Sequence, residues 1–345
     1  MDFKKDMVRP LASHRALLLC WAFVLAGSMG CTPATSSHPP TAEALQTTSD
    51  IEEPAQYPRT IPNDLLPNAI QVHEKVFSGG QPAGTAAFQE LADLGIKTII
   101  CVDGARPDLE SARQFGFKYV HLPHGYDGIP AKRIEELAKV VRDADGPIYI
   151  HCHHGKHRSP AAASVACVSA GLMPRELALQ VLTLAGTSPS YRGLFQAAER
   201  ALPIAPTVLD ALPSEFPEAV AIPPMADAMI EIDHLYEQLH AVAAAHWSSP
   251  SDHPDLEPAH VALMLREQFT ELLRTEETQT QPESFQTMLR ESETATLELE
   301  ELLREGAVAK PSPDLLQALQ SKTEAIGRNC KACHEAFRDI PLSEK

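Results

Sequence analysis

Two periodicities divide the chain. From about residue 68 to 202, short apolar runs alternate with helical stretches. Residues 76–77 read as a short strand, 86–94 as helix, Lys97-Thr-Ile-Ile-Cys-Val102 as a buried strand and 108–115 as helix. Residues 118–122 continue as strand, 131–144 as an amphipathic helix, Pro147-Ile-Tyr-Ile150 as a second buried strand and 159–170 as a mostly apolar helix. This alternation predicts an α/β sheet with helices on its faces. Ligands of such sheets sit beyond the carboxyl ends of the strands, which directs attention to the loop after Ile150. Past residue 225 the period becomes helical throughout. A first helix over 225–247 carries Met225, Met229, Ile232, Leu235, Tyr236, Leu239 and Val242, and a second over 258–275 carries Val261, Leu265, Phe269 and Leu272. A third covers 284–304 and a fourth 314–338. Short polar connections make neighbouring helices antiparallel, so the expectation is an all-α four-helix bundle over 225–345.

The remaining segments lack either pattern. Residues 1–15 are basic, 16–26 are apolar, and small residues lead to Cys31. Such a core is too short to span a bilayer and suits a secretory signal over 1–30. It resembles the bacterial lipoprotein signal, in which Cys31 would carry the lipid, although Ser28 stands where that signal prefers Leu; ordinary cleavage after Ser28 or Gly30 is the competing reading. The expectation is an exported, periplasmic protein tethered to the membrane by a lipid. Residues 31–67 and 203–224 are rich in proline, the latter with six in 22 residues, and read as linkers. The architecture expected is therefore multidomain: an α/β domain over 68–202 and a helical domain over 225–345.

Charge sharpens this division. Of the formal charge of -17 over 345 residues, -13 falls in 225–345, while 71–224 is nearly neutral at -2. An acidic chain of this kind argues against nucleic-acid binding. Glu291, Glu293, Glu298, Glu300, Glu301 and Glu305 make the third helix acidic, which reads as a solvated surface. Seven cysteines are too few for a disulfide scaffold, and their positions matter more than their number.

The loop after the strand ending at Ile150 reads His151-Cys152-His153-His154-Gly155-Lys156-His157-Arg158-Ser159. A strand-to-helix turn gathers backbone N–H groups into an anion nest beside a helix N-terminus. Gly155 lets the loop curl, and Arg158 can grip two phosphate oxygens in a fork that lysine lacks. In that field Cys152 is a candidate thiolate nucleophile. His151, Cys152, Gly155, Arg158 and Ser159 fill every fixed position of HCxxGxxR followed by Ser or Thr. The segment thus resembles the cysteine-dependent protein-tyrosine and dual-specificity phosphatases, and Phe77-Ser-Gly-Gly-Gln-Pro82 looks like the opening of a bacterial subgroup of them. The resemblance implies a phosphorylated substrate and a phosphocysteine on Cys152. It also implies that Ser159 stabilises the departing thiolate, that His151 orients Cys152, and that His153, His154, Gly155, Lys156 and His157 line the phosphate loop. That family places its general acid on an upstream loop, which makes Asp127 the candidate and Asp103 the runner-up. Four histidines in one loop also invite a metal reading. It leaves Gly155 and Arg158 without a role and would compete with thiolate chemistry, so His153, His154 and His157 are read as pointing outward. Cys101 and Cys167 sit in apolar contexts and read as buried small hydrophobes.

The fourth helix contains Cys330-Lys-Ala-Cys333-His334, the spacing of c-type haem attachment. Two thiols can add across the haem vinyl groups, leaving the next residue, His334, to ligate iron. Placed late in a four-helix bundle, Gly327–Arg338 resembles the class II cytochrome c (cytochrome c′) family. The resemblance implies covalent haem c on Cys330 and Cys333 and an iron face turned toward the first helix. Met229 is the candidate sixth ligand there and Met225 the second choice, with Arg338 beside a propionate. A redox partner or a small gas ligand at the haem is implied as well.

Overall fold

The computed structural model describes residues 56–306 and 312–345. The secretory segment, Cys31 and most of the first proline-rich stretch lie outside the described residues. The described residues belong to one compact unit, Pro54–Lys345. Among them, no helix is long and apolar enough to cross a membrane.

A six-stranded sheet forms the first body: β1 (Arg59–Thr60), β2 (Ile70–His73), β3 (Val76–Gly79), β4 (Thr98–Cys101), β5 (Lys118–His121) and β6 (Ile148–His151). Their order is β1-β2-β3-β6-β4-β5, antiparallel from β1 to β3 and parallel from β3 onward. β6 lies between β3 and β4, with Ile148 and Ile150 fully buried, so the run that continues into the cysteine loop is the central strand. Continuous apolar runs are what a parallel strand covered on both faces requires.

Helices α1 (Gly84–Asp93) and α2 (Leu109–Gln114) precede β4 and β5, and α3 (Ala131–Asp143) precedes β6. α4 (Arg158–Ser169) follows the cysteine loop, and α5 (Ala178–Leu184) and α6 (Arg192–Arg200) complete the layer. On one face, Phe88, Leu91, Phe117 and Tyr149 form an aromatic-rich core. On the other, α4 is buried from Ser159 to Ser169 and packs with α3, α5 and α6. A helix buried all round cannot show an amphipathic period, which is why its sequence reads as uniformly apolar.

Both proline-rich boundaries need correction. The fold begins well before residue 68, because β1 pairs with β2 through Arg59 and Gln71, whose side chains also hydrogen-bond at 2.7 Å. β2 escapes a reading by pattern because only Ile70 and Val72 carry its alternation. The stretch 203–224 is docked rather than free. It holds α7 (Pro206–Asp210); Phe216 packs on the core, the His121 N–H donates to Pro217 O at 2.9 Å, and the Val220 N–H donates to His121 Nδ1 at 3.1 Å. Proline lacks a donor but keeps its carbonyl, and that carbonyl partners the edge strand β5.

The second body is helical: α8 (Pro224–Ala244), α9 (Pro258–Arg274), the short α10 (Glu276–Gln279), α11 (Glu283–Gly306) and α12 (Pro313–Cys333). The four long helices lie within a few residues of the four expected. Ser312 caps α12 by accepting from the Leu315 N–H, with Pro313 in the first turn. Leu239, Leu265, Phe269, Leu299 and Ile326 make the shared core. α9 packs on α8 and α11, and α11 on α12; α8 and α12 meet more loosely, through a Tyr236 hydroxyl that donates to Thr323 O at 3.1 Å. Not all of the acidic face of α11 is solvated. Glu300 is buried and pairs with Arg266 at 2.7 Å and Arg304 at 2.6 Å.

Candidate functional site

The cysteine loop spans the gap from β6 to α4, and glycine builds its inner wall. Gly155 has φ +70°, and a Cβ there would lie 2.3 Å from Gly80 N and 2.4 Å from the Gly79 carbonyl carbon. Only glycine permits both that conformation and that approach. The loop is then tied down from outside. Asn68 Nδ2 donates to Gly155 O at 2.8 Å, Thr187 Oγ1 donates to Lys156 O at 2.6 Å, and the Gln81 N–H donates to His153 O at 3.0 Å. These outer partners hold three of the loop's carbonyls.

Within the curl, Cys152 is 3% exposed, and its thiol donates to Ser159 Oγ at 3.3 Å. Ser159 donates in turn to Gly79 O at 3.0 Å. The hydroxyl is thus positioned against sulfur and could turn its proton toward a thiolate. His151 is buried, shares a 2.6 Å hydrogen bond with the Tyr119 hydroxyl, and is pushed down to about 4 by burial, so its ring is neutral near pH 7. The Arg158 guanidinium lies 4.6 Å from the Tyr126 ring centroid, a cation–π contact. Burial works against the Arg158 charge, but Tyr126, Cys152 and Asp103 outweigh it and hold the group above its ordinary value. The Arg158 Nε is buried without a partner among the described residues.

Asp103 is 2% exposed and accepts from the Ala105 N–H at 2.9 Å and from Cys101 Sγ at 3.3 Å. Burial opposes its charge, yet Arg158 and His151 keep it below the usual carboxylate range. A buried, ionised carboxylate of this kind is a counter-charge for Arg158 and a poor proton donor. Asp127 lies half-buried on the loop between β5 and α3. Its carbonyl accepts from the Leu342 N–H at 2.8 Å, and its carboxylate pairs with Lys345 at 2.7 Å. Gly193 lets the loop seat this closely, since a Cβ there would collide with Asp127 O.

The loop histidines do not all point outward. His157 packs 4.7 Å from the Tyr191 ring and is pushed down to about 4, chiefly by burial. His153 is half-buried against α8, where Glu237 lies 3.1 Å from its Nε2. His154 is the most exposed of the set but reaches the same carboxylate at 3.3 Å. Cys101 and Cys167 are buried, as expected, and all five described cysteines are free.

In the helical body, Cys330 and Cys333 are half-buried beside an apolar cluster that also takes in Met225, Met229, Tyr236 and Phe337. α12 ends at Cys333, and His334–Arg338 forms a π-helical turn. Burial raises both thiols, Cys330 to about 11, and burial together with Arg338 pushes His334 down to about 3. A Cβ on Gly327, one turn before Cys330, would meet the Tyr236 hydroxyl at 2.5 Å. Two free thiols, a neutral imidazole and a methionine-bearing apolar lining fit a covalently attached haem in donor chemistry. Arg338 is placed differently from the propionate expectation. Its guanidinium lies 4.2 Å from the Tyr126 ring centroid and pairs with Asp339 at 2.6 Å, so it reaches the same ring as Arg158.

Sequence reasoning missed Asn68, Tyr119, Tyr126 and Thr187 as supports of the loop. Only Gly80 and Gln81 had a signal, through the Gly-Gly-Gln run after β3.

No protein-family model matches the chain, and no curated protein matches its sequence. Among solved structures, likenesses are to cysteine-based phosphatases over about 40% of the chain. TpbA of P. aeruginosa is 17% identical with a TM-score of 0.36, over 40% of this chain and 87% of that one. The catalytic core of the PP-IP phosphatase SIW14 of S. cerevisiae is 19% identical with a TM-score of 0.34, over 41% and 88%. Tk-PTP in its active form is 18% identical with a TM-score of 0.32, over 39% and 99%.

Proposed function

We propose that the α/β body is a cysteine-dependent phosphatase acting on phosphate monoesters, protein phosphotyrosine among them. The observation that carries this reading is the curled loop, in which the Cys152 thiol meets the Ser159 hydroxyl at 3.3 Å and the Cys152 and Arg158 groups act on each other electrostatically. In this reading the phosphoryl group sits on the loop N–H groups and the Arg158 fork. The Cys152 thiolate attacks phosphorus, the ester P–O bond breaks, and Asp127 gives its proton to the departing oxygen. Asp127 then takes a proton from water as that water attacks the phosphocysteine. The S–P bond breaks, phosphate leaves, and Ser159 donates to the reborn thiolate. Neutral His151, held by Tyr119, fixes where the strand hands over to the loop. Cys152→Ser is expected to lower phosphate release from an aryl phosphate by about a thousandfold or more, since the hydroxyl has no base to activate it. Undiminished turnover in that variant contradicts the mechanism.

For the helical body we propose covalent haem on Cys330 and Cys333, with His334 and Met229 as the residues that would ligate its iron. Bound haem would supply one-electron chemistry or a gas-ligand site. The chain's own contribution is to present two thiols and an imidazole at one helix end. The support is the half-burial of Cys330 and Cys333 beside Met225, Met229 and Tyr236. Export, a lipid on Cys31, and a redox partner or gas ligand complete the reading. The absorption spectrum of purified protein, before and after Met229→Ala, tests it. A spectrum without haem bands after expression with a cytochrome c maturation system contradicts it.

A further inference from the structure

Outside the nest, the loop and the first bundle helix bring four metal-ligating side chains to one point. His153 and His154 come from the loop; Asp233 and Glu237, one turn apart, come from a single face of α8. One ligand atom from each lies within 4.8 Å of all the others. The two imidazole Nε2 atoms are 3.1 and 3.3 Å from the same Glu237 oxygen. These are close to the ligand–ligand edge of about 3.3 Å that a tetrahedral ion with bonds near 2.0–2.1 Å would have. The His153 and His154 rings are 4.3 Å apart at 58°, so adjacent residues present their nitrogens to one place without stacking face to face. The His234 ring lies 5.5 Å from His153, and a cavity of about 870 Å³ opens beside the group.

We propose that this junction is a divalent transition-metal site of the zinc class, with His153, His154, Asp233 and Glu237 as ligands. Two imidazoles and two carboxylates suit zinc better than calcium or magnesium, which prefer all-oxygen shells. The set is not the four-histidine cluster that the loop sequence suggests. His151 and His157 are turned away to Tyr119 and Tyr191, and α8 supplies the missing half. Cys152 is not a ligand, so the site does not compete for the thiolate. Because the ligands come from both bodies, the ion would clasp α8 to the loop. The site depends on neither the phosphatase nor the haem reading.

The test is zinc titration of the tag-free, metal-stripped full chain by competition with a chromophoric chelator. The controls are Asp233→Asn/Glu237→Gln, which keeps side-chain shape, and Cys330→Ser/Cys333→Ser, which removes the thiol pair of the CxxCH segment. The expected result is one zinc per chain, weakened at least tenfold in the carboxamide variant and retained in the serine variant. Zinc affinity unchanged in the carboxamide variant, or lost in the serine variant, overturns the proposal. X-ray absorption on zinc-loaded wild type decides independently of any variant: a nitrogen and oxygen shell with imidazole scattering supports the site, and a sulfur shell overturns it.

Discussion

The two cysteine-bearing segments of this chain are built on opposite plans. At the loop after β6, protein atoms supply nearly every requirement. Glycines 79, 80 and 155 allow close approach, Asn68 and Thr187 hold the outer carbonyls, and Ser159 already meets Cys152. At the end of α12, the two thiols sit half-buried beside Met225, Met229 and Tyr236, and among the described residues no side-chain network like that of the loop surrounds them. In the proposed reading the first segment takes a small anion and the second takes a covalently added group. What a cysteine can do is set less by the residue than by how far its surroundings are finished in advance.

That contrast can be broken from either side. On the finished side, Asp127→Asn is expected to lower turnover of an ester with a poor leaving group by about a thousandfold, and far less for a good leaving group that needs no proton. Equal losses across a leaving-group series would remove Asp127 from the role of acid. Gly155→Ala is expected to destabilise the fold by about 3–5 kcal/mol, through positive φ and backbone overlap, as read from denaturant midpoints. A loss below about 1 kcal/mol would mean that the nest is not the rigid element described. His151 sharpens the contrast through pH. Its folded value is near 4 against 6.5 for a free histidine, so the unfolded chain takes up the proton first on acidification. Its contribution is fully present above about pH 6.5 and lost as pH falls toward 4, on the order of 3 kcal/mol. Stability measured between pH 7 and 4 should therefore fall less steeply in His151→Gln. The smallest effect is expected at Lys345→Ala, which removes a partly exposed ion pair to Asp127 and should change turnover less than about threefold.

How much was readable beforehand follows the same contrast. Where the proposed function rests on local spacing, as in HCxxGxxR or CxxCH, the motif residues lie within about one or two turns of chain. Strand runs buried on both faces and stripes at helical spacing were equally legible. What supports the loop was not. Asn68 reaches Gly155 across 87 positions, and Thr187 reaches Lys156 across 31, and neither carries a pattern that points to its partner. Proline content misled in 203–224, since it signals a missing donor and says nothing of the Pro217 carbonyl that accepts from β5. The loop histidines misled too: alone they look solvent-directed, and only the placement of α8 gives His153 and His154 a shared carboxylate.

The central claim is that the Cys152 sulfur takes the phosphoryl group. It is tested most directly by rapid acid quench of the full chain during turnover of an aryl phosphate, followed by peptide mass spectrometry. The account predicts a gain of one phosphoryl group on the peptide containing Cys152, assigned to sulfur and absent in Cys152→Ser. Turnover that leaves Cys152 unmodified while a loop histidine carries the group, or that persists in Cys152→Ser, would contradict it.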